Sequence, residues 1–234
     1  FRDVSFNYPG SDANALRNVS FKIKAGEHVA ILGRMGSGKT TIQKLILGLY
    51  QPTSGAILID GIDSRQIDPA ELRRAIGYVQ QDTHLFFGSM RDNIAIAAQH
   101  ATGEQVLHAA HVGGIDEFIN THPQGFDMPV GERGDTLSGG QRQGVGIARA
   151  VINNPVIYLL DEPTSAMDHS GEEAVKKRLS EASSGRTLLV ITHRSSLFDM
   201  VDRILVIDGG KIMADGQKDL VIDALRTGKV GKAA

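Results

Sequence analysis

Val4, Phe6 and Tyr8 alternate with polar residues, the period of a half-buried strand, and Pro9-Gly10 closes it. Phe21 and Ile23 repeat the alternation before a turn at Gly26, and His28–Leu32 is a short apolar run of strand character that meets glycines at once. Ile42, Leu45, Ile46 and Leu49 then fall at i, i+3, i+4 and i+7, which predicts a one-faced helix stopped by Pro52 and Gly55. Ala56–Ile59 and Ile76–Val79 read as further strands. Between about 82 and 152 the spacing turns helical, with Ile94, Val106, Leu107, Ile115, Phe118 and Ile119 set among polar residues. After Pro155, the runs Val156–Leu160, Leu188–Ile191 and Ile204–Ile207 are continuously apolar, as in strands buried on both faces. Ala174, Val175, Leu179 and Ala182 mark a helix between the first two runs. Strands alternating with helices predict an α/β core with a parallel sheet.

Composition narrows the function. At 234 residues and 41% hydrophobic, the chain can build a real core, and the mix disfavours disorder and fibrous repeats. Its 25 basic and 27 acidic residues leave a net charge of −2, so nothing asks for a nucleic-acid backbone as partner. The absence of cysteine excludes disulfides, thiolate zinc sites and cysteine nucleophiles. No apolar run reaches the ~18–20 residues of a membrane span, and the N-terminus alternates where a signal peptide would be continuous. The chain begins at Phe1, inside a strand and without Met, so an excised domain is expected, with any membrane part outside it.

The 27 glycines are concentrated where chemistry is expected. Gly33-Arg34-Met35-Gly36-Ser37-Gly38-Lys39-Thr40 fits G-x-x-x-x-G-K-[ST] between a strand and a helix. Glycines let backbone N–H groups turn inward, and the helix start adds its positive dipole end. Lys39 reaches β- and γ-phosphates in such a loop, and the Thr40 hydroxyl ligates Mg²⁺. The plain alternative is a glycine-rich turn with a surface lysine.

The run Val156–Leu160 leads straight into Asp161 and Glu162. In open α/β sheets ligands bind outside the carboxyl ends of strands. Two acids there fit a nucleotide–Mg²⁺ site, Asp161 for the metal and Glu162 as general base toward water. The competing reading is a cap on the turn Pro163-Thr164-Ser165. His193 also follows a strand end and could hydrogen-bond a γ-phosphate or its attacking water. His108 and His111 lie i, i+3 on a helix without a third ligand nearby.

Leu137-Ser138-Gly139-Gly140-Gln141 opens a second helix with a serine as N-cap. One nucleotide needs one cradle, so the second is either another anion site or half of a shared one.

Here the chain resembles, over essentially its whole length, the nucleotide-binding domain of ABC transporters, with the motifs in family order. Leu137–Gln141, continuing Arg142-Gln143, resembles the signature sequence. Tyr8 matches the aromatic that stacks on adenine, residues 33–40 match Walker A, and Leu159–Glu162 the end of Walker B. Gln81 matches the Q-loop glutamine, Ser165–Asp168 the D-loop, and Thr192-His193-Arg194 the H-loop. The resemblance implies a P-loop NTPase (RecA-like) α/β core of residues 1–81 and 153–234, with N-terminal antiparallel strands and a helical subdomain over 82–152. It implies ATP and Mg²⁺ as cofactors and two copies set head to tail, each ATP lying between Walker A of one and the signature of the other. The nucleotide-binding residues it implies are Tyr8, Gly33, Arg34, Met35, Gly36, Ser37, Gly38, Lys39, Thr40 and Thr41, with Ser138, Gly139, Gly140, Gln141 and Asp168. It further implies that Thr40, Gln81 and Asp161 hold the metal and that Glu162, His193 and Gln81 serve catalysis. Two departures stand out: Gln80 occupies a position where many relatives have proline, and Met167 one where leucine is commoner. Gly144 and Gly146 lie inside the post-signature helix, at a cost of about 1 kcal/mol each against alanine unless they permit close packing.

Asp92-Asn93-Ile94 and Val130-Gly131-Glu132-Arg133-Gly134 are similar to the exporter-type Q-loop exit and X-loop. Ser165–Asp168, residues 192–197 and Gly114–Phe118 are similar to type I secretion ATPases, particularly those exporting large repeat-rich adhesins. That resemblance implies a membrane domain N-terminal to residue 1, periplasmic adaptor and outer-membrane channel partners, and the cytoplasmic face of a bacterial inner membrane. A lipid or drug exporter is the rival within the class. A non-transport ATPase of this family often carries tandem cassettes or a coiled-coil insertion, and a scaffold without turnover would not need Glu162 and His193.

Overall fold

The computed structural model describes residues 1–228; residues 229–234, which the resemblance includes in the core, lie outside the described residues. In chain order the elements are β1 (Arg2–Asn7), β2 (Asn14–Val19), β3 (His28–Leu32), α1 (Lys39–Ile46), β4 (Ser54–Ala56), β5 (Leu58–Ile59), β6 (Ile62–Asp63) and α2 (Pro69–Arg74). There follow β7 (Ile76–Val79), α3 (Met90–Ala95), α4 (Gly103–Val112), α5 (Asp116–Thr121), α6 (Gly139–Val151), β8 (Ile157–Asp161) and α7 (His169–Ala182). Last come β9 (Thr187–Ile191), β10 (Arg203–Asp208), β11 (Lys211–Gln217) and α8 (Lys218–Arg226). They form two compact units, one of Phe1–Ala75 with the chain from Thr187 on, the other of Ile76–Arg186.

In the first unit β10, β3 and β9 pair in parallel, with β11 antiparallel on the outer side of β10. Val29–Ile31, Leu188–Ile191 and Ile204–Ile207 are buried, as continuous apolar runs require. A separate antiparallel sheet has the order β2-β1-β4. The strand expected around Phe21 and Ile23 lies earlier, at β2. Its buried residues, Leu16 and Val19, are three apart because the pairing with β1 is irregular on both sides of Phe6, which hides the period of two. Phe21 is buried outside any strand, its ring stacked on Phe1 at 4.4 Å.

The helix after the glycine loop stops before Pro52. Gly48 takes φ 64, Leu49 N–H donates to Lys44 O at 2.9 Å and Gly48 N–H to Leu45 O at 3.1 Å, a closure that satisfies the last carbonyls. Leu49 therefore leaves the apolar face and is 53% exposed, while Gln43 is fully buried beside Ile42 and Leu45. The single strand expected over 56–59 is two short ones, β4 on β1 and β5 on β6.

In the second unit β7 and β8 pair in parallel, Ile76 opposite Ile157 and Val79 opposite Leu160. Val156, expected in the latter strand, precedes it and is exposed. Helices α3 to α6 lie within the stretch of helical spacing, where Ile94, Val106, Ile115 and Ile119 are buried but Leu107 is exposed. Ser89/Asp92, Thr102/Gln105 and Ser138/Gln141 close capping boxes at α3, α4 and α6, each pair satisfying two orphan donors. On α7 Val175 and Leu179 are buried with Glu172, and Ala174 is exposed; the buried Thr164 hydroxyl donates to the Glu172 carboxylate at 3.2 Å.

Arg149 ties α6 to the segment after β7. Its guanidinium donates to the carbonyls of Asn93 and His84 and to Asn93 Oδ1, each at 2.6 Å, and lies over the Phe86 ring at 5.5 Å. Burial lowers its pKa to about 10. Asn93 in turn bonds the Phe86 N–H and carbonyl at 2.9 Å.

The interior glycines of α6 pack closely. A Cβ on Gly144 would meet the Gly113 carbonyl and Ile115, and one on Gly146 would meet the Thr83 hydroxyl. Gly144→Ala gains about 1 kcal/mol of helix propensity. It loses more, because the neighbour is backbone, and overpacking costs about 1–3 kcal/mol. The expected outcome is a lower Tm by calorimetry, against the rise that propensity alone requires.

Among the described residues no helix is long and apolar enough to cross a membrane.

Candidate functional site

In the first unit the glycine loop leaves β3 and enters α1, the strand–loop–helix context that its spacing requires. Gly38 caps α1 at φ 114, with no side-chain bond to the first turn. A Cβ there would strike Leu16 and the Ala15 carbonyl, so both space and φ demand glycine. A helix start without a side-chain cap offers its N–H groups and dipole to an anion. Lys39 Nζ donates to the carbonyls of Gly33 at 2.6 Å and Arg34 at 2.9 Å, closing the loop on itself. Arg34, Met35, Gly36 and Thr40 are exposed, and Ser37 is buried. Ser37 is tied through its carbonyl to the Gly210 N–H at 3.0 Å.

Tyr8 follows β1, half-buried. Its hydroxyl is 3.1 Å from Thr41 Oγ1, and its ring meets Phe6 and Tyr50 edge-on at 5.0 and 5.4 Å. Lys44 Nζ lies 5.2 Å from that ring. His193 is exposed just past β9. Since Ile31 and Ile191 are register partners in parallel neighbours, His193 and Gly33 emerge at the same edge of the sheet.

The second unit repeats this logic. Val79 and Leu160 are register partners, so Gln81 and the pair Asp161-Glu162 leave the same sheet edge. Asp161 and Glu162 are buried and Gln81 is exposed. Burial, and then the Asp161 carboxylate, push the Tyr78 phenol up to about 12. Glu162 has φ 45, a left-handed conformation that costs a non-glycine residue about 1–3 kcal/mol.

Ser138 caps α6: its hydroxyl accepts the Gln141 N–H at 3.2 Å and Gln141 Oε1 accepts the Ser138 N–H at 2.8 Å. Gly139 and Gly140 are the first helical residues. Asp168 caps α7, accepting the Gly171 N–H at 2.8 Å. A groove is lined by Gln81, Arg133, Gly139, Arg142, Gln143, Ser165 and Ala166, which brings together four of the segments singled out in the sequence. Gln143 stands in the sequence as part of the signature run, with no role of its own. Its only signal is a polar residue on the buried face of α6. His111, set aside as a metal ligand, bonds Asp116 at 2.7 Å.

Residues 16–165, more than half of the chain, match the family described as ABC transporter, and the chain belongs to that family. It is 44% identical over 221 residues to the cyclolysin secretion/processing ATP-binding protein CyaB of Bordetella pertussis, covering 94% of this chain and 31% of that protein. It is 43% identical over 224 residues to the toxin RTX-I translocation ATP-binding protein of Actinobacillus pleuropneumoniae, covering 95% and 32%. To the putative multidrug export ATP-binding/permease protein YgaD of Bacillus subtilis it is 42% identical over 223 residues, covering 95% and 38%. The chain thus spans about a third of the length of these relatives. A solved structure of a bacterial Atm1-family ABC exporter with ATP bound superposes with a TM-score of 0.92 at 40% identity, covering 98% of this chain and 40% of that one. The α/β fold of the P-loop NTPases, with added antiparallel strands and helices, is the fold of this chain.

Proposed function

We propose that this chain is the ATP-binding and ATP-hydrolysing domain of an ABC exporter, and that two copies join head to tail around two ATP–Mg²⁺. The observation that carries the dimer is that one chain presents two glycine-opened helix starts, at Gly38-Lys39 and at Ser138-Gly139-Gly140, while one nucleotide needs a single phosphate cradle. The signature half then serves the partner's nucleotide. Residues 82–152 form the signature subdomain, and 1–81 with 153–234 the nucleotide core.

In this reading the amides of residues 33–41 and Lys39 hold the triphosphate, and the Tyr8 ring stacks on the base. Glu162 accepts the proton of a water that attacks the γ-phosphorus, and the bond to the ADP oxygen breaks. His193 hydrogen-bonds the γ-phosphate or that water. Thr40, Gln81 and Asp161 supply the hard oxygen donors that suit Mg²⁺, which typically takes one or two carboxylates plus substrate phosphates. When bound, the ion neutralises charge on the phosphates. Ser138, Gly139, Gly140, Gln141 and Asp168 serve the nucleotide of the other copy.

Similarity to toxin-secretion proteins supports a role in type I secretion of a protein substrate. The partners are then a transmembrane domain, a periplasmic adaptor and an outer-membrane channel, at the cytoplasmic face of a bacterial inner membrane. Comparable identity to YgaD supports a drug or lipid exporter as the second reading.

The test is phosphate release from ATP by the purified chain. It is expected with Mg²⁺ and lost on chelation with EDTA; no release under any Mg²⁺ condition contradicts the proposal. Tyr8→Ala is expected to raise KM for ATP with kcat little changed, the mark of lost uniform binding. Tyr8→Phe keeps the stacking ring and loses only the contact with Thr41, a bond worth about 0.5–1.5 kcal/mol. Steady-state kinetics check both, and a fall in kcat alone contradicts stacking.

A further inference from the structure

We propose that Gln143 is a positioning residue for hydrolysis, its buried amide on α6 fixing the backbone of Glu162 and of the turn behind it. The inference rests on the reading of Glu162 as the base. Gln143 is buried, where an apolar side chain would pack at no cost in desolvation. Yet its amide is engaged at both ends, and every contact goes to one segment. Nε2 donates to the Glu162 carbonyl at 3.1 Å and to Ser165 Oγ at 2.6 Å, while Oε1 accepts the Ala166 N–H at 2.8 Å.

That segment needs holding. Glu162 sits at φ 45, and its carbonyl also accepts the Ser165 N–H of the turn at 3.2 Å. A left-handed glutamate persists where its surroundings over-determine it, and the Gln143 bond to its carbonyl is one such constraint. The helix start makes a second contact with the same turn, because a Cβ on Gly139 would lie 3.0 Å from that of Ala166. The helix whose start is offered to one nucleotide thereby sets the carboxylate that serves the other. Gln143 touches no reacting atom in this scheme; it acts through Glu162.

Gln143→Leu keeps the volume and removes all three bonds. Gln143→Glu keeps an acceptor for the Ala166 N–H and loses the donor to Glu162. Both are expected to lower kcat by about tenfold to a hundredfold, the effect of a misplaced catalytic group, with KM for ATP within about twofold. Hydrogen exchange at the Ala166 amide is expected to quicken at least about tenfold in Gln143→Leu and to stay near wild type in Gln143→Glu. Wild-type kcat in either folded variant overturns the inference, and so does a rise in KM in step with the fall in kcat. Should Gln143→Leu fail to fold, Gln143→Glu decides alone. Wild-type chain that does not hydrolyse ATP, or does so equally well as Glu162→Gln, contradicts the ATPase reading instead.

Discussion

Glu162→Gln is expected to bind ATP–Mg²⁺ and to hydrolyse it about a hundredfold to ten-thousandfold more slowly than wild type, the range that a positioned general base contributes. The amide is nearly isosteric with the carboxylate but cannot accept the water's proton. The substitution leaves the backbone at φ 45 and the carbonyl contact with Gln143 as they are, so folding is expected to be unaffected. With hydrolysis blocked, ATP is expected to hold two copies together, shifting the chain from monomer to dimer on a sizing column. Single-turnover hydrolysis and the elution position check the two halves separately. Hydrolysis at the wild-type rate removes Glu162 from the mechanism; a chain that stays monomeric with ATP under every Mg²⁺ condition counts against the sandwich.

Lys39→Ala is expected to abolish measurable turnover and to weaken ATP binding. A charge-assisted bond to a phosphate is about twice as strong as a neutral one. Loss of one preorganised electrostatic stabiliser typically costs about a hundredfold to a thousandfold in kcat. Here the loss is compounded, because Lys39 also closes the loop through the carbonyls of Gly33 and Arg34. Unlike Tyr8→Ala, the change is expected to move both kcat and KM. A radiolabelled ATP binding assay beside a phosphate-release assay checks it, and near-native turnover contradicts the assignment.

The sequence made the strands buried on both faces legible because their runs are continuous: Leu188–Ile191 and Ile204–Ile207 are strand residues almost to the boundary. The glycine loop was legible for a different reason, that its residue types are dictated by backbone geometry, as the collision awaiting a Cβ at Gly38 shows. β2 was not, because an irregular pairing with β1 spaces its buried residues by three. The end of α1 falls earlier than its spacing implies because Gly48, the residue that closes the helix, sits within an apolar periodicity that runs on to Leu49. The left-handed backbone at Glu162 has no signature in residue type, and the glutamine bound to its carbonyl lies nineteen positions earlier in the chain. Gln143 therefore reads as one more polar residue of a motif until its contacts are seen.

Whether the two glycine cradles act on one nucleotide or on two is decided by mixed dimers in a Glu162→Gln background that traps ATP. In one design the first protomer carries Lys39→Ala and the second carries Ser138→Arg, which adds bulk at the N-cap of α6. In the other design both changes are in the first protomer and the second carries neither. If each site takes Walker A from one copy and the signature from the other, the first design keeps one intact site and the second keeps none. If each chain uses its own two cradles, the first keeps none and the second keeps one. The quantity measured is ATP trapped per purified mixed dimer. Trapped ATP in the first design and almost none in the second is the expected result; the reverse pattern contradicts the head-to-tail sandwich and assigns Ser138–Gly140 to the nucleotide of their own chain.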